Sequence, residues 1–172
     1  MAAQDKEKDK DQDHEHGGGH DEVDGKLSNA TVSFGNWKPT IAAPLDRFPP
    51  NDPNPRTRNG HQLIPHVAKI KAGGTVNFVI AGFHQPTVYA PGTQPAQINS
   101  SLIVPGSTPP GLIDDPNNRV YRGQDPRTVS QDRVEVVSFQ SPGMYLVICA
   151  VRPHFVNDNM YGFVNVVAAD DN

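Results

Sequence analysis

An all-β fold, with two sheets of short strands packed as a Greek-key sandwich, is predicted by two features of this 172-residue sequence. β-Branched and aromatic residues gather in short runs separated by clusters of Gly, Pro, Asn and Asp, the spacing of strands joined by turns. No segment sustains the 3.6-residue apolar period that a helix needs to bury one face.

The sandwich does not extend over the whole chain. Residues 1–26 carry nine acidic residues against four lysines, include Gly17-Gly18-Gly19 and contain no aromatic residue. Such a segment cannot bury a core and is expected to be disordered, which leaves 27–172 as a single domain. His14, His16 and His20 in this tail can capture a divalent metal weakly; a solubilising acidic tail is the preferred reading. The rest of the chain holds 11 basic and 10 acidic residues. A nearly neutral body without a Lys/Arg cluster offers no footprint for nucleic acid or an anionic membrane.

No apolar run is long enough to span a bilayer, and the first residues lack the basic and apolar regions of a secretory signal. Taken literally this describes a soluble intracellular protein; removal of a signal is the alternative. The lone Cys149 excludes an internal disulfide and any two-cysteine metal site.

Along the body, residues 30–34 alternate and form a first strand. Trp37 follows as a core plug, and the proline-dense residues 44–55 form an irregular arm that wraps the body. Residues 67–80 give two strands punctuated by Gly73-Gly74, and the second delivers Ala81-Gly82-Phe83-His84-Gln85. Residues 90–132 are dense in turn signals, with one apolar segment at 98–104. Another strand covers 134–139. In the strand 145–149, Tyr145, Val147 and Cys149 point one way while Leu146 and Ile148, with Met144 before them, point the other. Both faces are apolar, so part of the 90–132 insertion or the proline-rich arm is expected to cover the outer one. Residues 164–167 close the body.

The chemistry concentrates near the end. Pro142-Gly143-Met144-Tyr145 leads to Cys149, His154 follows, and Met160-Tyr161-Gly162-Phe163-Val164-Asn165-Val166 leaves the loop. A thiolate, an imidazole and a thioether, joined by one more imidazole, are the donors of a blue-copper site. His84 is the best candidate for that imidazole; His61 and His66 compete with it, lying before the glycine pair.

These stretches resemble the cupredoxins, the family of plastocyanin, azurin and rusticyanin. In that family the ligand loop is entered by Pro-Gly-x-Tyr-x-x-x-Cys and left by Met-x-Gly-x-Val-x-Val, and a Lys-x-Gly-Asp-x-Val-x-Phe run leads to the first copper histidine. Here Gly74 stands where that Asp often is. Four residues separate Cys149 from His154, as in the longer-loop members, and five separate His154 from Met160, slightly more than those relatives use. The resemblance covers roughly residues 64–167, its motifs lie at 67–84 and 142–166, and it implies one mononuclear type 1 copper site on His84, Cys149, His154 and Met160.

The resemblance further implies an extracytoplasmic or periplasmic electron carrier, not an enzyme, its signal removed. The backbone N–H groups of Gln85 and Val151 would donate to the Cys149 sulfur and raise the reduction potential. The redox partner, such as a c-type cytochrome or a terminal oxidase or reductase, would dock near His154 on an apolar patch of Phe155, Met160, Tyr161 and Phe83. Rival readings are a copper-handling metallochaperone fed by the histidine-containing tail, and a small copper enzyme of nitrosocyanin type with Asp158 as a carboxylate ligand.

Overall fold

A computed structural model describes residues 28–37 and 59–169. The acidic tail, the proline-dense arm and the Trp37 side chain lie outside what is described. Among the described residues one sheet contains β1 (Asn29–Trp37), β2 (Asn59–Ile64), β4 (Gly74–Ala81) and β7 (Asp132–Phe139), ordered β2-β1-β4-β7. The other contains β3 (Val67–Lys71), β5 (Pro86–Tyr89), β6 (Arg119–Arg122), β8 (Gly143–Cys149) and β9 (Tyr161–Val167), ordered β3-β9-β8-β5-β6. β1 runs parallel to β4 and β3 parallel to β9, while the other pairings are antiparallel.

The period-2 patterns explain how the sheets meet. Val76, Phe78 and Ile80 of β4 face inward and pack with Val32 and Phe34 of β1 and with Tyr145, Val147 and Cys149 of β8. Each such fully buried side chain contributes about 1.5–3 kcal/mol relative to exposure. Leu146 and Ile148 face outward and are also completely buried, in a second cluster with Tyr89, Ile98, Ile113 and Phe155. The insertion therefore does cover the outer face of β8. Met144, at the start of the strand, is not covered: it is 40 % exposed.

The insertion is fixed by polar contacts as well as by apolar ones. Ile113 N–H donates to the Ala150 carbonyl at 2.7 Å and Arg152 N–H to the Gly111 carbonyl at 3.0 Å. The buried Asp115 carboxylate accepts the backbone N–H groups of Asn99 at 2.7 Å and Asn117 at 3.0 Å. This part of the chain serves as the floor beneath the segment that follows Cys149.

Two local structures depart from the sequence expectation. Charged residues mask β6, which among the described residues is an edge strand paired only with β5. Residues 152–158 form the helix α1 (Arg152–Asp158), which is too short to show a period, and Pro153 sits in its first turn, where a missing N–H costs nothing.

Candidate metal centre

Three elements bring the candidate donors to one end of the sandwich. Cys149 ends β8, and its N–H donates to the Met160 carbonyl at 3.0 Å. His84 lies in the turn after β4, where its N–H donates to the Gly82 carbonyl at 3.0 Å and its carbonyl accepts from Arg133 Nη2 at 2.9 Å. His154 occupies the first half of α1, its N–H bonded to the Val151 carbonyl at 2.9 Å. The helix ends at Asn159 in the left-handed region, φ 52°, so that the Met160 N–H turns back to the His154 carbonyl at 2.9 Å. One turn of helix and a left-handed cap thus absorb the long His154-to-Met160 spacing. Met160 enters the core completely buried, in the same cluster as Cys149.

The donor atoms form a compact triangle. Cys149 Sγ lies 3.6 Å from His84 Nδ1 and 3.7 Å from His154 Nδ1, and the two nitrogens are 3.1 Å apart. A point equidistant from all three is about 2 Å from each, close to the length of a metal–imidazole or metal–thiolate bond. The residues present therefore fit one small, thiophilic metal ion. Without an ion, the two facing imidazoles can share one N–H, the protonated nitrogen donating to its neighbour's lone pair.

Burial sets the charge state of these groups. It pushes the Cys149 thiol up to about 12, and the backbone N–H groups of Gln85 and Val151, directed at the sulfur, oppose the rise. It lowers His154 to about 4, with the neighbouring His61 adding to the effect and Asp158 opposing it. His84 is lowered well below its ordinary value, first by burial and then by His154 and His61. The metal-free centre is accordingly a neutral thiol beside neutral imidazoles, and binding a cation through the thiolate must expel a proton.

Of the two rival histidines, His66 stays away from the centre, edge-on to Tyr161 and Phe163. His61 is brought to it. Its ring stacks on His154, centroids 3.8 Å apart and planes 22° apart, and meets His84 edge-on at 5.5 Å. Its Nδ1 lies 2.6 Å from Asp158 Oδ2, so this carboxylate is engaged by His61. One signal in the sequence leads to His61: it shares the period-2 phase of the buried Leu63, between exposed Gln62 and Ile64.

Gly35 supports the other histidine. At φ 86° it already favours glycine, and a Cβ there would come within 2.7 Å of His84 Nε2 and of the Ala81 carbonyl oxygen. The His84 ring edge lies against bare backbone.

A buried polar network stands behind the His84 turn. Arg133 and Glu135 of β7 pair at 2.6 Å, with side chains 9 % and 3 % exposed. Tyr121 of β6 donates its hydroxyl to Glu135 Oε2 at 2.6 Å, and Gln124 N–H donates to the same carboxylate. Glu135 thereby ties β7 of one sheet to β6 of the other, while Arg133 holds the His84 carbonyl. These charges take inward positions on β7, and Val134 and Val136 are left 56 % and 57 % exposed.

The expected apolar patch around His154 is corrected by burial. Phe155 is only 9 % exposed and belongs to the cluster under the insertion, and Met160 is fully buried. The helix turns Phe155 inward, and the left-handed cap after it turns Met160 inward, away from a docking partner. His154, Phe83 and Tyr161 keep partial exposure.

No family model matches the chain, and no curated protein matches it in sequence. Solved structures do resemble it. Reduced auracyanin from the photosynthetic bacterium Roseiflexus castenholzii superposes with a TM-score of 0.52 at 15 % identity, over 81 % of this chain and 96 % of that one. Auracyanin B follows at 0.48 and 17 % identity over 81 % and 89 %, and a mutant plastocyanin of fern at 0.39 and 19 % over 80 % and 99 %. At these identities the likeness concerns the fold, and it rests on the first of the three. The chain has the cupredoxin fold, a β-sandwich of two mixed sheets. No helix among the described residues is long and apolar enough to cross a membrane.

Proposed function

We propose that this protein is a single-electron carrier whose one mononuclear type 1 copper site would be held by His84, Cys149 and His154, with Met160 as the fourth donor. The observation that carries the reading is the triangle of Cys149 Sγ and two imidazole Nδ1 atoms, 3.1 to 3.7 Å on a side, at one end of a cupredoxin-fold sandwich. Copper there would supply a Cu(I)/Cu(II) couple, for which thiolate, thioether and imidazole are suited ligands. The protein's own residues do the rest. β8, α1 and the β4 turn hold the donors on an interlocked frame, so a change of charge need move them little. The N–H groups of Gln85 and Val151 stabilise the electron-rich sulfur, and Met160 and the core beneath it exclude water. Both influences favour the reduced state and a relatively high potential.

The partner in this reading is a redox protein of the c-type cytochrome or terminal oxidase or reductase kind, approaching near His154, in a periplasmic or other extracytoplasmic compartment. A carboxylate-ligated enzyme site is disfavoured because Asp158 is bonded to His61. A metallochaperone remains the second reading, since a site with a partly exposed histidine can also release metal. The copper-loaded protein should cycle reversibly between oxidised and reduced forms and exchange electrons with a small c-type cytochrome at least as fast after residues 1–26 are deleted as before. Loss of copper on each reduction, or exchange that needs the tail, would favour metal delivery instead.

A further inference from the structure

We propose that His61 is a positioning residue for the centre, a ring clamped over His154 by Asp158 that holds the His154 imidazole in its metal-facing orientation; this rests on the copper-site reading above. His61, His84 and His154 each offer a ligand atom within 4.8 Å of the others, which at first suggests a three-histidine site. The stacking geometry excludes that for His61. A ring nitrogen's lone pair lies in the ring plane, and planes 22° apart with centroids separated by 3.8 Å confine the two rings' lone pairs to separate, nearly parallel planes. An ion held in the plane of His154 would lie outside the plane of His61, out of line with its lone pairs.

The support for His61 comes from two sides. On β2 it follows Gly60, which pairs with Asn36, and precedes Leu63, which pairs with Phe34. The same end of the β1–β2 pair that sets Gly35 against His84 therefore sets His61 against His154. Asp158, at the far end of α1, grips His61 Nδ1 at 2.6 Å, so the carboxylate and the stacked ring join the helix that carries His154 to the opposite sheet. With Cys149 behind it, His84 beside it and His61 on its face, the His154 ring has little freedom to rotate.

The test uses His61→Ala, His61→Phe and Asp158→Asn, each checked for wild-type strand content by circular dichroism. In metal-free protein, the carbon-bound ring protons of His154 should show an upfield ring-current shift that His61→Ala abolishes and His61→Phe retains. In copper(I)-loaded protein, transfer of copper to a chelator should quicken roughly threefold to tenfold in His61→Ala, the span expected for loss of one aromatic stack. It should fall between wild type and His61→Ala in both His61→Phe and Asp158→Asn, which keep the stacked ring and lose the carboxylate grip. Unchanged His154 shifts in His61→Ala, or a release rate in His61→Phe as fast as in His61→Ala, would overturn the clamp. If the wild-type protein takes up no copper, the copper-site reading fails, while the metal-free shifts still decide whether His61 orients His154.

Discussion

Metal-free protein is expected to lose stability as pH falls from about 6.5 towards 4 and again as it rises above about 9. Burial holds His154 near 4 in the folded state, against an ordinary value of 6.5, and shifts His84 in the same direction. Between those values the unfolded chain binds more protons than the folded one, so stability is fully present above 6.5 and is lost as pH falls. Each such group adds up to about 1.4 kcal/mol per pH unit within its window. The thiol gives the opposite limb. Cys149 is pushed from 9.0 to about 12 in the folded state, so the unfolded chain ionises first and stability falls as pH rises from 9 towards 12. Denaturation midpoints from pH 4.5 to 10.5 should trace this dome, and Cys149→Ser should flatten its alkaline side. A midpoint constant between pH 7 and 4.5 would contradict the buried neutral imidazoles.

Glu135→Ala is expected to destabilise the fold by about 3–5 kcal/mol, because it leaves the Arg133 guanidinium in a site where it is 9 % exposed without its counter-charge. The effect should reach the metal centre, since the same guanidinium bonds the His84 carbonyl at 2.9 Å. Replacing both charges, Arg133→Met with Glu135→Leu, should recover most of the stability, because apolar side chains of similar volume often replace a buried pair without loss. It should not recover metal affinity, because the double variant removes the guanidinium that bonds the His84 carbonyl. Chemical denaturation and competitive copper binding separate the two effects. Equal recovery of both would show that Arg133 acts on stability alone.

The sequence exposes those parts of the molecule that depend on local pattern. His84, Cys149, His154 and Met160 stand in phrases that mark strand ends and a ligand loop, and the two apolar faces of 145–149 foretell a covered outer side. Glu135 is harder to place. In Val134-Glu135-Val136-Val137 hydrophobicity suggests that the valines at 134 and 136 face inward, yet the strand's phase is set by Val137 and Phe139, whose burial carries Glu135 inside with Arg133 and Tyr121 as partners. His61 depends on an interaction distant in sequence. It reaches the centre because β2 pairs with β1, and Asp158, its partner, is 97 residues away. The short α1 changes what its residues do, since it turns Phe155 into the core where a loop reading leaves it on a docking surface.

The central claim, a single copper ion held by Cys149 and two histidines, is tested most directly by adding copper(II) to metal-free protein while recording absorption and EPR spectra. One equivalent should produce an intense visible thiolate-to-copper band that saturates there, vanishes in Cys149→Ser, fails to form normally in His84→Ala and shifts in Met160→Leu. Weak absorption alone, with an EPR signal that Cys149→Ser leaves unchanged, would contradict the claim.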